Sequence, residues 1–431
     1  MKRICLIFLS LLSVATLHSC GLYAEYQSNC PPDEEAAIDS LPQWHEFYAD
    51  PCLQDLLENA IARNTGLATA ELRLTQAEES LKAARLAYIP SLFFTPNGGV
   101  SVKYGQGPVY TGNIPLSIDW NLGSPGTLFA RRHQAEARRI QMQDHYNAVL
   151  NELISQIATD YYMLQMLDEK VAILESTIAT WSRTLDIQRE IMLSGKAYYS
   201  SVAQMESKLI DAKQDLLQAR ADIAVWEKAI CLLTAEPYVN IKRSEAGAFP
   251  DPEIVENGVN LSRIRFRPDV RAAERDLEIT YYLTLEAKSA FYPSVNLSGD
   301  FGWPGLVNSI LSLVQPIFSQ GSLRCRQNIS KMDEEIAQLQ FQQIMLQAAT
   351  EVSQALADHR LHSEKAELFS EQKEIQEKAC RVVEEMSRDG RANYLELIKA
   401  QEKLLSAQLG EAECRYKARE ATVMLYKSLG R

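Results

Sequence analysis

Two uninterrupted helical stretches of equal length constrain this chain more than any other feature. Gly126-Thr127-Leu128 opens the first and Ser194-Gly195 closes it, while Gly321-Ser322-Leu323 opens the second and Asp389-Gly390 closes it; each glycine pair is 69 residues apart. No proline and no further glycine lies between them, which predicts two α-helices of about 100 Å at ~1.5 Å per residue. A helix of that length cannot bury itself, so it must run along others in a coiled array. In the first helix Leu150, Ile157, Leu164, Val171, Ile178, Leu185 and Met192 recur every seven residues, joined by Leu153, Leu167, Leu174 and Trp181. A strict seven-residue repeat predicts left-handed supercoiling against neighbours. The second helix keeps a shorter version in Leu361, Leu368, Ile375 and Val382, and its upper part is rich in glutamine.

The duplication extends beyond the helices. Tyr88-Ile89-Pro90-Ser91-Leu92 recurs as Phe291-Tyr292-Pro293-Ser294-Val295 at an offset of 203, where Leu67, Ala70, Glu71 and Leu74 also meet Val270, Ala273, Glu274 and Leu277. The long helices repeat at an offset of 195, which leaves eight extra residues in the first copy between Pro90 and Gly126. One architecture built twice follows. The expected division is a signal peptide over 1–19 and an N-terminal extension over 20–50. A first repeat spans 51–235, with strands about 91–122 and a tip near 195. A linker at 236–265 leads to a second repeat over 266–431, with strands about 294–318 and a tip near 390. Helical patterns are expected from Asp50-Pro51 to about Tyr88, from Lys196 to about Thr234, from Pro268 to Ala290 and from Arg391 to Leu429.

The connecting segments alternate at period two. Ile114, Leu116, Ile118, Trp120 and Leu122 alternate with Pro115, Ser117, Asp119 and Asn121, and Val295, Leu297, Phe301 and Trp303 with Asn296, Ser298, Asp300 and Gly302. Val100, Val102 and Tyr104 do the same against Ser101 and Lys103, whereas 310–318 alternates poorly. Four strands result, all but the last with one apolar and one polar face, near the length of tilted transmembrane β-strands. Alternation alone fits a half-buried strand in a soluble sheet as well. The aromatics at the strand ends, Tyr104, Trp120, Trp303 and Phe318, favour a membrane interface. Four strands cannot close a barrel, and open edges are not tolerated in lipid, so several chains must share one. Pro115 within a strand removes a ladder donor and weighs mildly against this reading.

The N-terminus carries Lys2 and Arg3 before an apolar run from Ile4 to Leu17, the pattern of a secretory signal, too short to span. It ends in Leu17-His18-Ser19-Cys20, which resembles a bacterial lipoprotein cleavage site with Cys20 as the lipidated residue, a membrane anchor without a span. Among the remaining cysteines no CxxC occurs, Cys380 and Cys414 fall about 20 Å apart in a hairpin turning at Gly390, and Cys30 with Cys52 is the pair worth testing for a bridge. The formal net charge of −12 disfavours a phosphate-backbone ligand.

Taken together, Phe47-Tyr48-Ala49-Asp50-Pro51-Cys52-Leu53 with Asn64, Arg267-Pro268-Asp269-Val270-Arg271-Ala272-Ala273-Glu274, Phe291-Tyr292-Pro293-Ser294, Gln315-Pro316-Ile317-Phe318 and Asn393-Tyr394-Leu395 with Ala400-Gln401 resemble the TolC-like outer-membrane efflux proteins. The lipoprotein site is most similar to the NodT-type lipoprotein branch. The resemblance covers about Trp44 to the end. It implies a mostly α fold with a membrane β portion: a homotrimer whose α-helical periplasmic barrel joins a shared 12-stranded outer-membrane β-barrel. It also implies a periplasmic adaptor (membrane fusion) protein, an inner-membrane pump and outer-membrane lipid as partners, and a lipid-anchored chain in the cell outer membrane.

In that family the hairpin tips form the periplasmic entrance and meet the adaptor. By motif these are Leu193, Ser194, Gly195 and Lys196, and Arg388, Asp389, Gly390 and Arg391. Members often read Tyr-Leu-x-x-Leu-Asp-Ala-Gln after the second tip, with the Leu and the Asp as constriction rings. Here Leu395 keeps the first ring, while Lys399 stands at the Asp position, so three lysines would repel cations where the family pattern attracts them.

No catalytic constellation, cofactor motif or phosphate-cradling loop is recognisable, and His359 with His362 lacks further ligands at metal spacing. The chain is therefore expected to be a passive duct for small molecules rather than an enzyme, with energy supplied by a partner. Export of polypeptides in a type I system, or a non-conducting periplasmic coiled-coil brace, are the alternatives the residues leave open.

Overall fold

A computed structural model describes residues 20–28, 43–94, 96–101, 107–194, 198–252, 261–303, 308–317, 319–388 and 394–429. Its helices are α1 (Trp44–Phe47), α2 (Pro51–Arg63), α3 (Thr65–Leu86), α4 (Thr127–Leu193), α5 (Tyr199–Leu233), α6 (Pro268–Ser289), α7 (Ser322–Arg388) and α8 (Tyr394–Ser428). Its strands are β1 (Ser91–Phe94), β2 (Asn97–Ser101), β3 (Val109–Gly123), β4 (Ser294–Trp303) and β5 (Asn308–Val314). The two long helices, α4 and α7, are 67 residues each, and the two helices that return from them, α5 and α8, are 35 each. Equal lengths in both copies are what a duplicated glycine-to-glycine spacing demands.

The chain forms two compact units. The first comprises Met1–Pro32, Ala70–Tyr146 and Pro268–Leu346; the second comprises Asp33–Thr69, Asn147–Arg267 and Gln347–Arg431.

All strands belong to the first unit. They form an antiparallel sheet in the order β1, β3, β4, β5, with β2 also paired to β3. β1 and β2 lie end to end along the 15-residue β3, so five segments trace four strand paths. The interruption has a cause in β3. Phe94 pairs with Leu116 and Asn97 with Asn113, so the gap falls opposite Ile114 and Pro115. A proline has no N–H to offer a neighbour, and β3 places it where the neighbouring path is broken. On its other side Pro115 sits opposite Gly302 of β4. Two strand boundaries differ from the sequence expectation. β3 is longer than the nine or so residues of its alternating run, and β5 ends at Val314 rather than near 318. Gln315 instead donates its side-chain amide to the Phe291 carbonyl at 3.1 Å, and Pro316 follows, so the ladder cannot continue. Val102, Lys103, Tyr104 and Phe318 lie outside the described residues.

A strap of residues 20–28 lies on the same unit. Its first turn is the 3-10 helix Cys20–Leu22. Leu22 is buried with Ala130, Tyr282 and Leu285, Tyr23 meets Phe129 edge-on at 5.5 Å, and Ser28 donates to the buried carboxylate of Glu274 at 3.0 Å. Gly126 makes this approach possible. Its φ is +82°, and an added Cβ would come within 2.9 Å of the Leu22 carbonyl oxygen.

In the second unit, the seven-residue repeat of α4 is a true core. Ile157, Leu164 and Leu174 are fully buried, with Leu153, Leu167, Trp181 and Leu185 close behind. Asp50 caps α2 by accepting from the Cys52 N–H at 2.9 Å, and it also accepts the Tyr161 hydroxyl at 2.6 Å and the Ser244 hydroxyl. One carboxylate thereby ties α2, α4 and the linker together. Arg243 grips the same linker to α4 and α5 through Asp168 and the buried Glu227. The helical pattern expected without a break from Pro51 to Tyr88 is divided at Asn64. That residue is extended at φ −62° and ψ 123°, accepts the Leu67 N–H at 2.9 Å, and donates to the Leu233 carbonyl at 2.8 Å. An asparagine able to cap a new helix while satisfying the end of another is worth one lost turn. Cys52 has no disulfide partner among the described residues, and Cys30 lies outside them.

Candidate functional site

The sheet presents a continuous apolar face. Its register aligns Leu92 with Ile118, Phe94 with Leu116, Trp120 with Leu297 and Leu311, and Val295 with Leu313. The other face aligns Asp119 with Ser298, and Asn121 with Asn296 and Ser312, with Phe93, Ile310 and Val314 as apolar exceptions. On the apolar face Leu92, Phe94 and Leu311 are each more than 60% exposed. The edges are the β1–β2 path and β5. A sheet with a bare apolar face and two open edges is not a finished structure in water.

The helices carry a second unfinished surface. The α7 repeat, expected to pack like that of α4, does not pack within the chain. Leu361, Leu368, Ile375 and Val382 are all exposed. The helix continues this stripe in the first unit with Ile329, Met332, Ile336, Leu339 and Leu346, all exposed. α5 shows a matching exposed set in Ile210, Leu217, Val225 and Leu232. Apolar side chains at about seven-residue spacing and open to water have the pattern of a coiled-coil seam.

Around the helix ends the described residues form one cluster. Trp181 and Leu185 of α4, Val202, Met205 and Leu209 of α5, and Leu397 and Ile398 of α8 are buried together. Lys208 of α5 reaches Glu402 of α8 at 3.1 Å. This packing fixes the first turns of α8, so Leu395 and Lys399, four residues apart, share the exposed face opposite the cluster. Lys403 extends that face by one turn. Of the expected tip residues, Leu193 is 83% exposed and the Ser194 hydroxyl donates back to the Ile191 carbonyl at 2.7 Å. Arg388 ends α7. Gly195, Lys196, Asp389, Gly390 and Arg391 lie outside the described residues.

Sequence reasoning missed Tyr198 and Tyr199, the two most exposed aromatic residues of the described chain, at 85% and 72%. Their adjacency at the start of α5, just past a turn glycine, was the available signal. Among the described residues no group of His, Cys, Asp and Glu could hold a metal. His359 is occupied by Thr422 Oγ1 at 3.1 Å. No described helix is long and apolar enough to cross a membrane.

Comparison with known proteins agrees with this geometry. The family described as outer membrane efflux protein matches residues 56–235 and 264–431. The antibiotic efflux pump outer membrane protein ArpC of Pseudomonas putida is 24% identical over 98% of this chain and 95% of its own. Nodulation protein T of Rhizobium leguminosarum bv. trifolii is 22% identical over 85% of this chain and 82% of its own. A solved structure of CusC superposes with a TM-score of 0.85 at 18% identity, covering 94% of this chain and 99% of that one. At that identity the likeness is one of fold: a helical protein with a small strand portion.

Proposed function

The chain belongs to the outer membrane efflux protein family, and from that premise we propose that three copies form the outer-membrane duct of a tripartite efflux assembly. Small molecules pass through it from a periplasmic adaptor and an inner-membrane pump, and the pump supplies the energy. The carrying observation is the sheet, whose bare apolar face and open edges become sound once β5 of one copy pairs with the β1–β2 path of the next. Four strand paths from each of three chains make a 12-stranded barrel with the Ser117, Asp119 and Asn121 face inward. The exposed stripe of α7 meets that of α5 in the neighbouring copy and closes the periplasmic tunnel in the same way.

Within this reading Cys20 is the lipidated residue. The strap that follows it packs beside Gly126, three residues beyond the end of β3, so the anchor and the barrel enter lipid at one level. The hairpin ends around Leu193, Ser194, Gly195 and Lys196, and around Arg388, Asp389, Gly390 and Arg391, face the adaptor, with Tyr198 and Tyr199 supplying apolar contact beside them. Leu395 and Lys399 line the entrance as an apolar ring followed by a cationic one.

The test is the mass and conductance of the purified full-length protein. A particle of three chains in detergent that passes ions in planar bilayers is expected. A monodisperse monomer, or a trimer that carries no current, defeats the proposal.

A further inference from the structure

We propose that the helix wall of the first unit carries an anion-binding groove facing the lumen, where an acidic small molecule lodges in transit. The luminal direction rests on the duct reading above. The groove has a volume of about 560 Å³ and runs between α3 and α4, with Arg73 and Ser80 on one side, Arg138 and His145 on the other, and Ala77 and Ala272 at its floor. No carboxylate lines it.

These two arginines lack a counter-charge among the described residues, whereas four nearby are paired: Arg85 by Glu136 at 3.1 Å, Arg131 by Glu286 at 3.0 Å, Arg139 by Glu78 at 3.8 Å and Arg271 by Asp144 at 3.3 Å. Arg138 instead donates to the neutral amide oxygen of Gln141 at 3.0 Å, and Gln141 is itself held by the Ala272 carbonyl and Asp276. That guanidinium is oriented without losing its charge. Arg73 has no carboxylate partner among the described residues. In a chain of net charge −12, two such guanidinium groups beside a hydroxyl and an imidazole, over a floor of small residues, form a recess suited to phosphate, sulfonate or carboxylate groups.

Helix geometry supplies the direction. The strap meets α4 at Phe129 and α6 at Tyr281. Arg138 is nine residues after Phe129 and Ala272 nine before Tyr281, which on both helices is about half a turn round the axis at ~100° per residue. Strap and groove therefore lie mainly on different faces of the wall, with the strap's contacts at Ala130 and Tyr282 falling between them. A strap that leads to a lipid anchor runs on the outside, so the groove faces inward.

Equilibrium dialysis of the detergent-purified trimer against inorganic pyrophosphate at low ionic strength tests the site. Saturable binding is expected, weakened about ten-fold by Arg73→Gln or Arg138→Gln and unchanged by Arg132→Gln outside the groove. Absence of saturable binding, or equal binding by all variants, overturns the site. Reversal potentials in asymmetric KCl test its direction: both groove variants should move the open channel toward cation preference. A conducting channel whose selectivity does not move overturns the luminal placement. A wild-type trimer that conducts nothing strikes the duct reading instead, while the dialysis still decides the site.

Discussion

Lys399 stands where the family resemblance implies an aspartate. It shares an exposed helix face with Leu395, over a buried floor of Leu397 and Ile398 that keeps the first turns of α8 from rotating. In the proposed duct, three copies of this lysine around the entrance would create a local cationic field that low-dielectric walls strengthen. Replacing it by the opposite charge, Lys399→Asp, is expected to raise the cation-to-anion permeability ratio several-fold, as read from reversal potentials; an unchanged ratio removes Lys399 from the pore. Asp160 makes a different residue-scale case. It is 1% exposed, and its only side-chain donor among the described contacts is Gln156 at 2.9 Å. Burial raises its carboxyl to about 6, the Gln156 amide offsetting part of the effect. Tyr416 and Glu420 of α8 add no cation to favour ionisation. With the folded pKa above the unfolded one, the native state holds the extra proton between about pH 4 and pH 6. Stability is thus highest below that window and falls through it as pH rises, by on the order of 2–3 kcal/mol. Asp160→Asn should therefore melt higher than wild type at pH 8 and alongside it at pH 4. Parallel melting curves across that range contradict the account.

At the scale of elements, what the sequence made legible and what it concealed divide along one physical line: local patterns determine elements, but not what an element faces. The glycine spacing reports both 67-residue helices to within two residues, because nothing between the glycines can end a helix. The seven-residue repeat of α4 correctly marks a core. The shorter version of that repeat in α7 has the same spacing, yet Leu361, Leu368, Ile375 and Val382 lie open to water; periodicity does not say what covers a stripe. Asn64 hid a break because asparagine is tolerated within a helix, and only the distant Leu233 carbonyl makes breaking worthwhile. Pro115 looked like an objection to a strand until the gap opposite it was visible. The strap was also beyond sequence reasoning, since the Leu22 approach to Gly126 joins residues more than 100 positions apart. Gly126→Ala tests that joint. The substitution meets both a left-handed φ and a backbone oxygen, which cannot yield as a flexible side chain would, for about 1–3 kcal/mol. The expected result is a lower thermal midpoint with faster proteolysis within residues 20–28, and protection equal to wild type would show that the strap does not depend on this approach.

For the whole molecule, two incomplete surfaces of different chemistry call for one solution. The sheet lacks closure of hydrogen bonds at its edges, and the helices lack cover for an apolar stripe. In the proposed assembly, pairing copies edge to edge would satisfy the backbone, and a neighbouring copy would cover the α7 stripe. Three copies would close both rings in that assembly, since four strand paths are too few for a barrel and twelve suffice. The two surfaces are separable by mutation because they lie in different elements. Leu368→Asp combined with Ile375→Asp leaves the strands and the buried core of α4 untouched, while placing two carboxylates in each of three seams that ordinarily gain about 1.5–3 kcal/mol per apolar side chain covered. The double variant should still reach the helical content of wild type by circular dichroism, yet elute from detergent as single chains and give no channels in planar bilayers. Retention of a three-chain particle would mean that the α7 stripe is covered by something other than a second copy. Loss of helical content would place the stripe inside the fold of one chain, contrary to its exposure. The companion substitution Leu217→Asp on α5 belongs to the same seam, so adding it to the double variant should cost no further assembly: once the seam is open, its second side no longer matters.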